Sequence, residues 1–273
     1  MSSIAVLGGN GFLGRKICEI GVRQGWSVTS LSRSGAAPKA LSHMDNSWIS
    51  KVNWEKANLL EPESYREKLA GKTAVVHSVG ILFEDLDYKS SINLNFSFLN
   101  DVQKLANSLK GSNPMARKPS NTYGAIQRDL AVILADSFLD VSQKEGASEK
   151  IPAFVYISAD AKPPIVPDEY LSTKREAEFE LSCKKGLRAI FMRPNFMYDA
   201  NEPVMNNRKI LSRFIDLGYN VKNILFSDKI APLNDLIRPP VSTETVALKL
   251  YEKLGDANFQ GVVSLEEILK KSS

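Results

Sequence analysis

Ile4-Ala5-Val6-Leu7-Gly8-Gly9-Asn10-Gly11-Phe12-Leu13-Gly14 opens the chain, and its reading decides the architecture. A short apolar run ends abruptly at glycines, residues 12–23 then have helical character, and Val28 to Leu31 reads as a second strand. Strand, helix and strand within about thirty residues is the length of one right-handed crossover unit. The glycines at 8, 11 and 14 each answer a separate steric need. Gly8 lets the chain turn sharply off the strand, Gly11 lets backbone approach a pyrophosphate, and Gly14 lets the helix pack against the strand. The helix N-terminus then offers N–H groups and a positive dipole end to phosphate. Phe12 and Leu13 anchor the helix in the core and belong to the same cofactor-binding turn.

The rhythm continues downstream. Val52–Asn53 reads as a third strand, Glu63–Leu69 as a helix stopped by Gly71, and Ala74–Val76 as a fourth strand. Phe154–Ile157 and Ala189–Met192 read as the fifth and sixth, with helices over Tyr123–Lys144 and Glu169–Lys185 between them. Strands alternating with helices imply a parallel sheet covered on both faces. The expected fold is therefore α/β, a Rossmann-type doubly wound parallel sheet with a small C-terminal substrate-side excursion. One domain over residues 1–273 accommodates it. Two stretches break the rhythm, 81–122 (with a helix near Phe98–Leu109) and 201–240; such insertions shape substrate pockets or partner surfaces. Within the second, Asn206–Leu217 is a basic amphipathic candidate for a lid, a membrane-surface contact or ordinary core packing.

Composition excludes several classes. The net charge of +4 comes from 35 basic and 31 acidic residues interspersed along the chain, which argues against nucleic-acid binding. Cys18 and Cys183 form no paired motif, and two histidines, His43 and His77, are too few for a metal site. No apolar run is long enough to span a bilayer, and the first strand begins too early for a cleavable signal, so the residues alone read as cytosolic.

Cofactor choice turns on the end of the second strand, where NAD-preferring proteins commonly place an acid for the ribose hydroxyls. Here stands Ser32-Arg33-Ser34, and no acid lies between Glu19 and Asp45. Arg33 suits the 2′-phosphate of NADP, with Ser32 or Ser34 as hydrogen-bond partners, unless it is a solvated surface residue. NADP is the expected cofactor and NAD the alternative. Asn58-Leu59 either contacts adenine or forms a plain turn, and Ser78, Val79 and Gly80 after the fourth strand line the nicotinamide side. His77 beside them reads as a packed residue, not an acid or base.

Tyr170-Leu171-Ser172-Thr173-Lys174 puts a phenol and an amine four residues apart, on one face of a helix. An adjacent ammonium favours the phenolate, so the pair can move a proton at a carbonyl or hydroxyl while hydride moves at nicotinamide. Lys174 also suits the nicotinamide ribose. Ser158, at the end of the fifth strand, is placed to orient the reacting oxygen, because open parallel sheets bind ligands at strand C-termini. A plain surface pair on the helix is the alternative for Tyr170 and Lys174. Tyr123 and Gln127, opening the helix after the first insertion, are either near the cofactor or an exposed first turn.

These residues together resemble the short-chain dehydrogenases/reductases (SDRs). The glycine turn, Ser158, Tyr170, Lys174 and Arg193-Pro194 after the sixth strand carry the likeness, which covers most of the chain. Arg193 joins the cofactor-binding set on this basis, and Asn195 and Tyr198 the pocket. Val6 to Gly14, Ser30-Leu31-Ser32-Arg33-Ser34-Gly35 and Tyr170 to Glu178 are similar to a fungal mitochondrial branch belonging to the coenzyme Q biosynthetic complex, related to the Rossmann-type accessory subunit of respiratory complex I. That resemblance implies a role in ubiquinone synthesis, a hydrophobic substrate such as a quinone intermediate, protein partners in that complex, and peripheral attachment at the matrix face of the inner membrane. The alternative it leaves open is a non-catalytic nucleotide-binding subunit of the same assembly.

Overall fold

A computed structural model describes residues 2–39, 45–80, 122–144, 151–162, 166–200 and 238–270. In chain order these form β1 (Ser3–Leu7), α1 (Phe12–Arg23), β2 (Ser27–Ser32), β3 (Asn53–Lys56) and β4 (Ala74–His77). Next comes α2, which starts as a π-helix over Gly124–Asp129 and runs on as an α-helix over Leu130–Lys144. Then follow β5 (Ala153–Ile157), α3 (Glu169–Ser182), β6 (Arg188–Met192), β7 (Met197–Tyr198), β8 (Val241–Ser242), α4 (Thr243–Gly255), β9 (Gly261–Val263) and α5 (Leu265–Leu269). Seven strands form one sheet in the order β3-β2-β1-β4-β5-β6-β9, every pairing parallel, and β7 and β8 pair separately. This is the doubly wound order, whose direction of travel reverses between β1 and β4.

The sequence builds this by making the inner strands apolar on both sides. Along β1, Ile4 and Val6 join a core with α1, α4 and α5, while Ala5 and Leu7 join the opposite core with α2 and α3. β5 splits likewise, with Ala153, Val155 and Ile157 on one face and Phe154 and Tyr156 on the other. Burying a side chain such as Ile4 or Leu7 contributes about 1.5–3 kcal/mol.

Most expected elements appear where the pattern put them, with informative exceptions. Glu63–Leu69 is two 3-10 turns, Pro62–Ser64 and Arg66–Leu69, in place of one helix. The Ser64 hydroxyl is engaged with the backbone N–H and C=O of Asn58, and Tyr65 leaves helical φ at −132°, so no helical ladder passes through. The third strand runs from Asn53 to Lys56, beyond the two residues read from sequence. The α3 helix stops at Ser182, short of Lys185, where Lys184 N–H bonds the Leu181 carbonyl in a tightened final turn. The insertion helices near Phe98–Leu109 and Asn206–Leu217, and nearly all of 81–122 and 201–240, lie outside the described residues, as does His43.

The far edge of the sheet depends on one buried cation. Arg188 opens β6 and donates to the carbonyls of Lys253 (3.2 Å), Leu254 (3.1 Å), Asp256 (2.9 Å) and Phe259 (2.9 Å). Carbonyls at a helix C-terminus lack intrahelical donors, and this guanidinium supplies them while its charge complements the dipole. The α4–β9 connection is thereby held to the strand beside it. Replacing Arg188 with Met, which keeps the stem but removes every donor, is expected to lower stability by about 3 kcal/mol, read as an earlier midpoint in urea unfolding.

Candidate functional site

The glycine turn sits at the point where the sheet reverses. Gly8 has φ +83°, and a Cβ there would stand 2.9 Å from the Ser78 carbonyl oxygen beyond β4. A Cβ on Gly14 would meet the Gly8 carbonyl oxygen at 2.1 Å, and one on Gly11 would meet it at 2.9 Å. Gly11 donates its N–H to that same oxygen at 2.7 Å. The turn is thus packed backbone on backbone. Gly11 is the extended N-cap of α1, no side chain caps the helix, and no acid stands in its first turn. A helix start without a carboxylate or hydroxyl cap, behind a glycine cradle, fits a bound pyrophosphate. Leu13 is buried in the core and Phe12 half-buried, as anchors of the helix should be.

Next to the glycine turn, Ser32 ends β2 and accepts from the Gly35 N–H through both its carbonyl and its hydroxyl oxygen at 3.2 Å. Arg33 and Ser34 occupy the exposed tip of this turn, and among the described residues Arg33 has no acidic partner. The Asn10 amide reaches from the glycine turn to the Ala36 carbonyl at 3.0 Å, joining the two loops. Asn58 forms a local turn, accepting from Leu60 N–H at 3.3 Å and donating to Glu61 at 2.8 Å. Leu59 packs on the core.

Lys174 is the electrostatic centre of the opposite side. It is 4% exposed, and its Nζ donates to the Ile157 carbonyl at 2.9 Å. The same nitrogen lies 5.2 Å from the Tyr156 ring centroid and 5.5 Å from that of Tyr170, within cation–π range. Burial lowers this amine to about 7; Glu178 opposes the shift and Arg175 adds to it. Tyr170 is itself packed edge-on against Tyr123 with centroids 6.0 Å apart. Tyr123 and Gln127 are both buried, and the Thr173 hydroxyl donates to the Gln127 side chain at 3.4 Å. The π-helical start of α2 therefore faces the Tyr170 helix and is no exposed first turn. Residues 78–80 connect the two halves: Ser78 abuts Gly8, and a Cβ on Gly80 would stand 4.0 Å from Lys174 Nζ.

Two expected site residues are engaged elsewhere. The Ser158 hydroxyl accepts from Arg175 at 3.0 Å and is also a hydrogen-bond partner of Glu178. Arg193 grips Glu178 through Nε (3.0 Å) and Nη2, and Arg175 holds the same carboxylate at 2.7 Å. Burial pushes the Glu178 carboxyl up, but Arg193, Ser158 and Arg175 outweigh it and hold the group below the ordinary carboxylate range. Arg193, which the resemblance placed among the cofactor-binding residues, is thus bound into this buried cluster. Tyr156, Arg175 and Glu178 went unread. Glu178 had a legible signal, since it follows Lys174 by four residues on one helix face. His77 is fully buried and stacked on Tyr156 at 5.6 Å; burial, aided by the Lys174 charge, lowers it to about 3, which leaves it neutral.

The Lys174 environment has a pH signature. Below about 7 the amine is charged in folded and unfolded chains alike, and its burial destabilises the fold fully. Between about 7 and its ordinary 10.5 the unfolded chain binds the extra proton, so stability rises with pH and the penalty fades. Urea midpoints of the unmodified protein should therefore climb relative to Lys174→Met across that window. A constant gap between the two would show that no charge is buried at this position.

Comparison with known proteins accords with this geometry. The NAD dependent epimerase/dehydratase family model matches residues 4–97. MIOREX complex component 2 of Saccharomyces cerevisiae is 39% identical over 98% of this chain and 98% of its own length. Among solved structures, 3-oxoacyl-[acyl-carrier protein] reductase from Brucella melitensis in complex with NAD aligns at TM-score 0.59 and 12% identity, covering 99% of this chain and 98% of that one. FolM alternative dihydrofolate reductase 1 from Brucella canis complexed with NADP aligns at 0.57 and 12%, covering 100% and 96%. These two share the fold. The sheet order, the glycine cradle and the family-model match place the chain in the SDR-like, NAD(P)-binding Rossmann family, with yeast MIOREX complex component 2 as a full-length relative.

Proposed function

We propose that this chain is an NADP-dependent SDR-type oxidoreductase acting on a hydrophobic small molecule in coenzyme Q biosynthesis. The observation that carries the reading is the buried Lys174 amine beside Tyr170, joined to the glycine turn through Ser78 and Gly80. Gly8, Gly11 and Gly14 would receive the pyrophosphate, Arg33 the 2′-phosphate, and Lys174 the nicotinamide ribose. The bound nicotinamide would supply or accept hydride. Tyr170 would hold the substrate oxygen and pass it, or take from it, one proton. Lys174, in its ammonium form, would stabilise the phenolate. The coenzyme Q assignment, a quinone-type substrate and the matrix face of the inner membrane rest on the resemblance of the quoted motifs. Membership of a mitochondrial multiprotein assembly is supported further by the yeast relative, itself named as a complex component.

A second reading is a non-catalytic, nucleotide-binding subunit of that assembly. It is favoured by Ser158, whose hydroxyl is committed to Arg175 and Glu178. The two readings separate on Tyr170→Phe. The oxidoreductase reading expects unchanged NADPH binding, measured by fluorescence, with cellular quinone production falling at least about 100-fold. Normal quinone output would leave the subunit reading. Gly11→Val, by contrast, should abolish nucleotide binding under both, since even a Cβ there meets the Gly8 oxygen at 2.9 Å.

A further inference from the structure

Tyr156 is fully buried in the middle of the sheet and has no part in the chemistry assigned above. Its register neighbours are His77 on β4 and Phe191 on β6, and its ring lies in the core shared with α2 and α3. Held between two strands and stacked on His77 at 5.6 Å, the ring carries its hydroxyl to the start of α2, where it donates to the Gln127 carbonyl at 2.7 Å. Burial, reinforced by Tyr170 and Glu178 and opposed by Arg175, pushes this phenol well above the ordinary tyrosine value, so it remains a donor near neutrality.

The carbonyl it reaches belongs to an uncommon turn. Leu130 N–H donates to the Ala125 carbonyl, five residues back where an α-helix reaches four, and Gly124–Asp129 is π-helical. Such turns are rare and occur mostly as single bulges at functional sites. Returning this one to the α register would draw the chain before Leu130 by one residue, a rotation of about 100° and a shift of about 1.5 Å along the axis. Tyr123, at the head of the segment, would then leave Tyr170, against which its ring now stands edge-on at 6.0 Å. The Thr173 bond to the Gln127 side chain at 3.4 Å would be lost with it. Tyr170 is the second residue of α3, and Asp168 gives that helix start no side-chain cap, so packing against α2 has the larger part in fixing the phenol. Lys174 does not depend on the wide turn. Its Nζ is held by the Ile157 carbonyl and the Tyr156 ring, both on β5.

We propose that Tyr156 is a positioning residue for Tyr170: its hydroxyl keeps the start of α2 in the wide register, and that register sets the Tyr123 ring against Tyr170. The consequence for turnover rests on the oxidoreductase reading above, whereas the positioning itself does not.

The test is Tyr156→Phe, which removes one oxygen and keeps the ring, in the full chain labelled with 3-fluorotyrosine. The Tyr170 fluorine signal is identified by its loss in Tyr170→Phe, and Tyr123→Leu shows where that signal falls once the neighbouring ring is gone. Tyr156→Phe should move it in the same direction, and the double variant should add little, because both changes break one contact. NADPH binding, followed by fluorescence, should be unchanged, while cellular quinone production should fall at least about tenfold. Thermal melting checks that each variant stays folded. A Tyr170 signal that Tyr156→Phe leaves in place overturns the proposal. A shifted signal with normal quinone output upholds the positioning and overturns the oxidoreductase reading instead.

Discussion

The edge where β1 and β4 end depends on backbones lying closer than a β-carbon permits. Where β1 meets α1, the helix sits so near the Gly8 carbonyl that a methyl group on Gly14 would lie 2.1 Å from it. That contact fixes the helix axis relative to the strand and aims its positive end at the reversal point of the sheet. Ser78 closes the same space from β4. A larger residue at any of these points would tilt α1, and every loop anchored to it would follow. The Asn10 bond to Ala36 extends this dependence to the turn after β2.

The second half of the edge is organised by α3, whose residues serve two environments. One part of the helix carries Tyr170 and Lys174 among aromatic rings, where a charge is only marginally tolerated. The next turn carries Arg175 and Glu178, which tie the helix to the ends of β5 and β6. The ion cluster is compact and has hydrogen bonds on both carboxylate oxygens, the condition under which a buried pair is tolerable. Its weight in the site is positional: it holds the helix that holds the amine. The wide turn at the start of α2 supports the other flank, and the Tyr156 hydroxyl bonds a carbonyl of that turn, Gln127, at 2.7 Å.

Residues with a local signature were legible from sequence. The glycine turn has a spacing dictated by sterics, and the inner strands alternate between two cores, so β1, β2, β4, β5 and β6 could be found from pattern alone. Strand β9 could not, because three residues at a sheet edge, Gly261 to Val263, carry too little periodicity. The last helix did have a start signal, Ser264 with Glu267 three residues on, and the Ser264 hydroxyl does accept from the Glu267 N–H. That Tyr170 and Lys174 lie side by side on one helix face followed from their spacing. The partners of Ser158 and Arg193 were not, because an arginine's choice between a phosphate and a carboxylate is decided by what packs beside it. Composition treats Arg33, Arg175 and Arg193 as equals, and only three-dimensional charge matching separates them.

The arginine at the start of β6 has a consequence for how the molecule is assembled. Its four acceptors lie between residues 253 and 259, so the guanidinium has to wait for some seventy residues of later chain before its partners exist. During synthesis the strand that carries it would hold this guanidinium in water until those carbonyls arrive to replace the water. The edge of the sheet is therefore a late event on the ribosome. Chains that terminate before the final strand would keep a ragged, pairing-competent border of the kind that invites association with other chains.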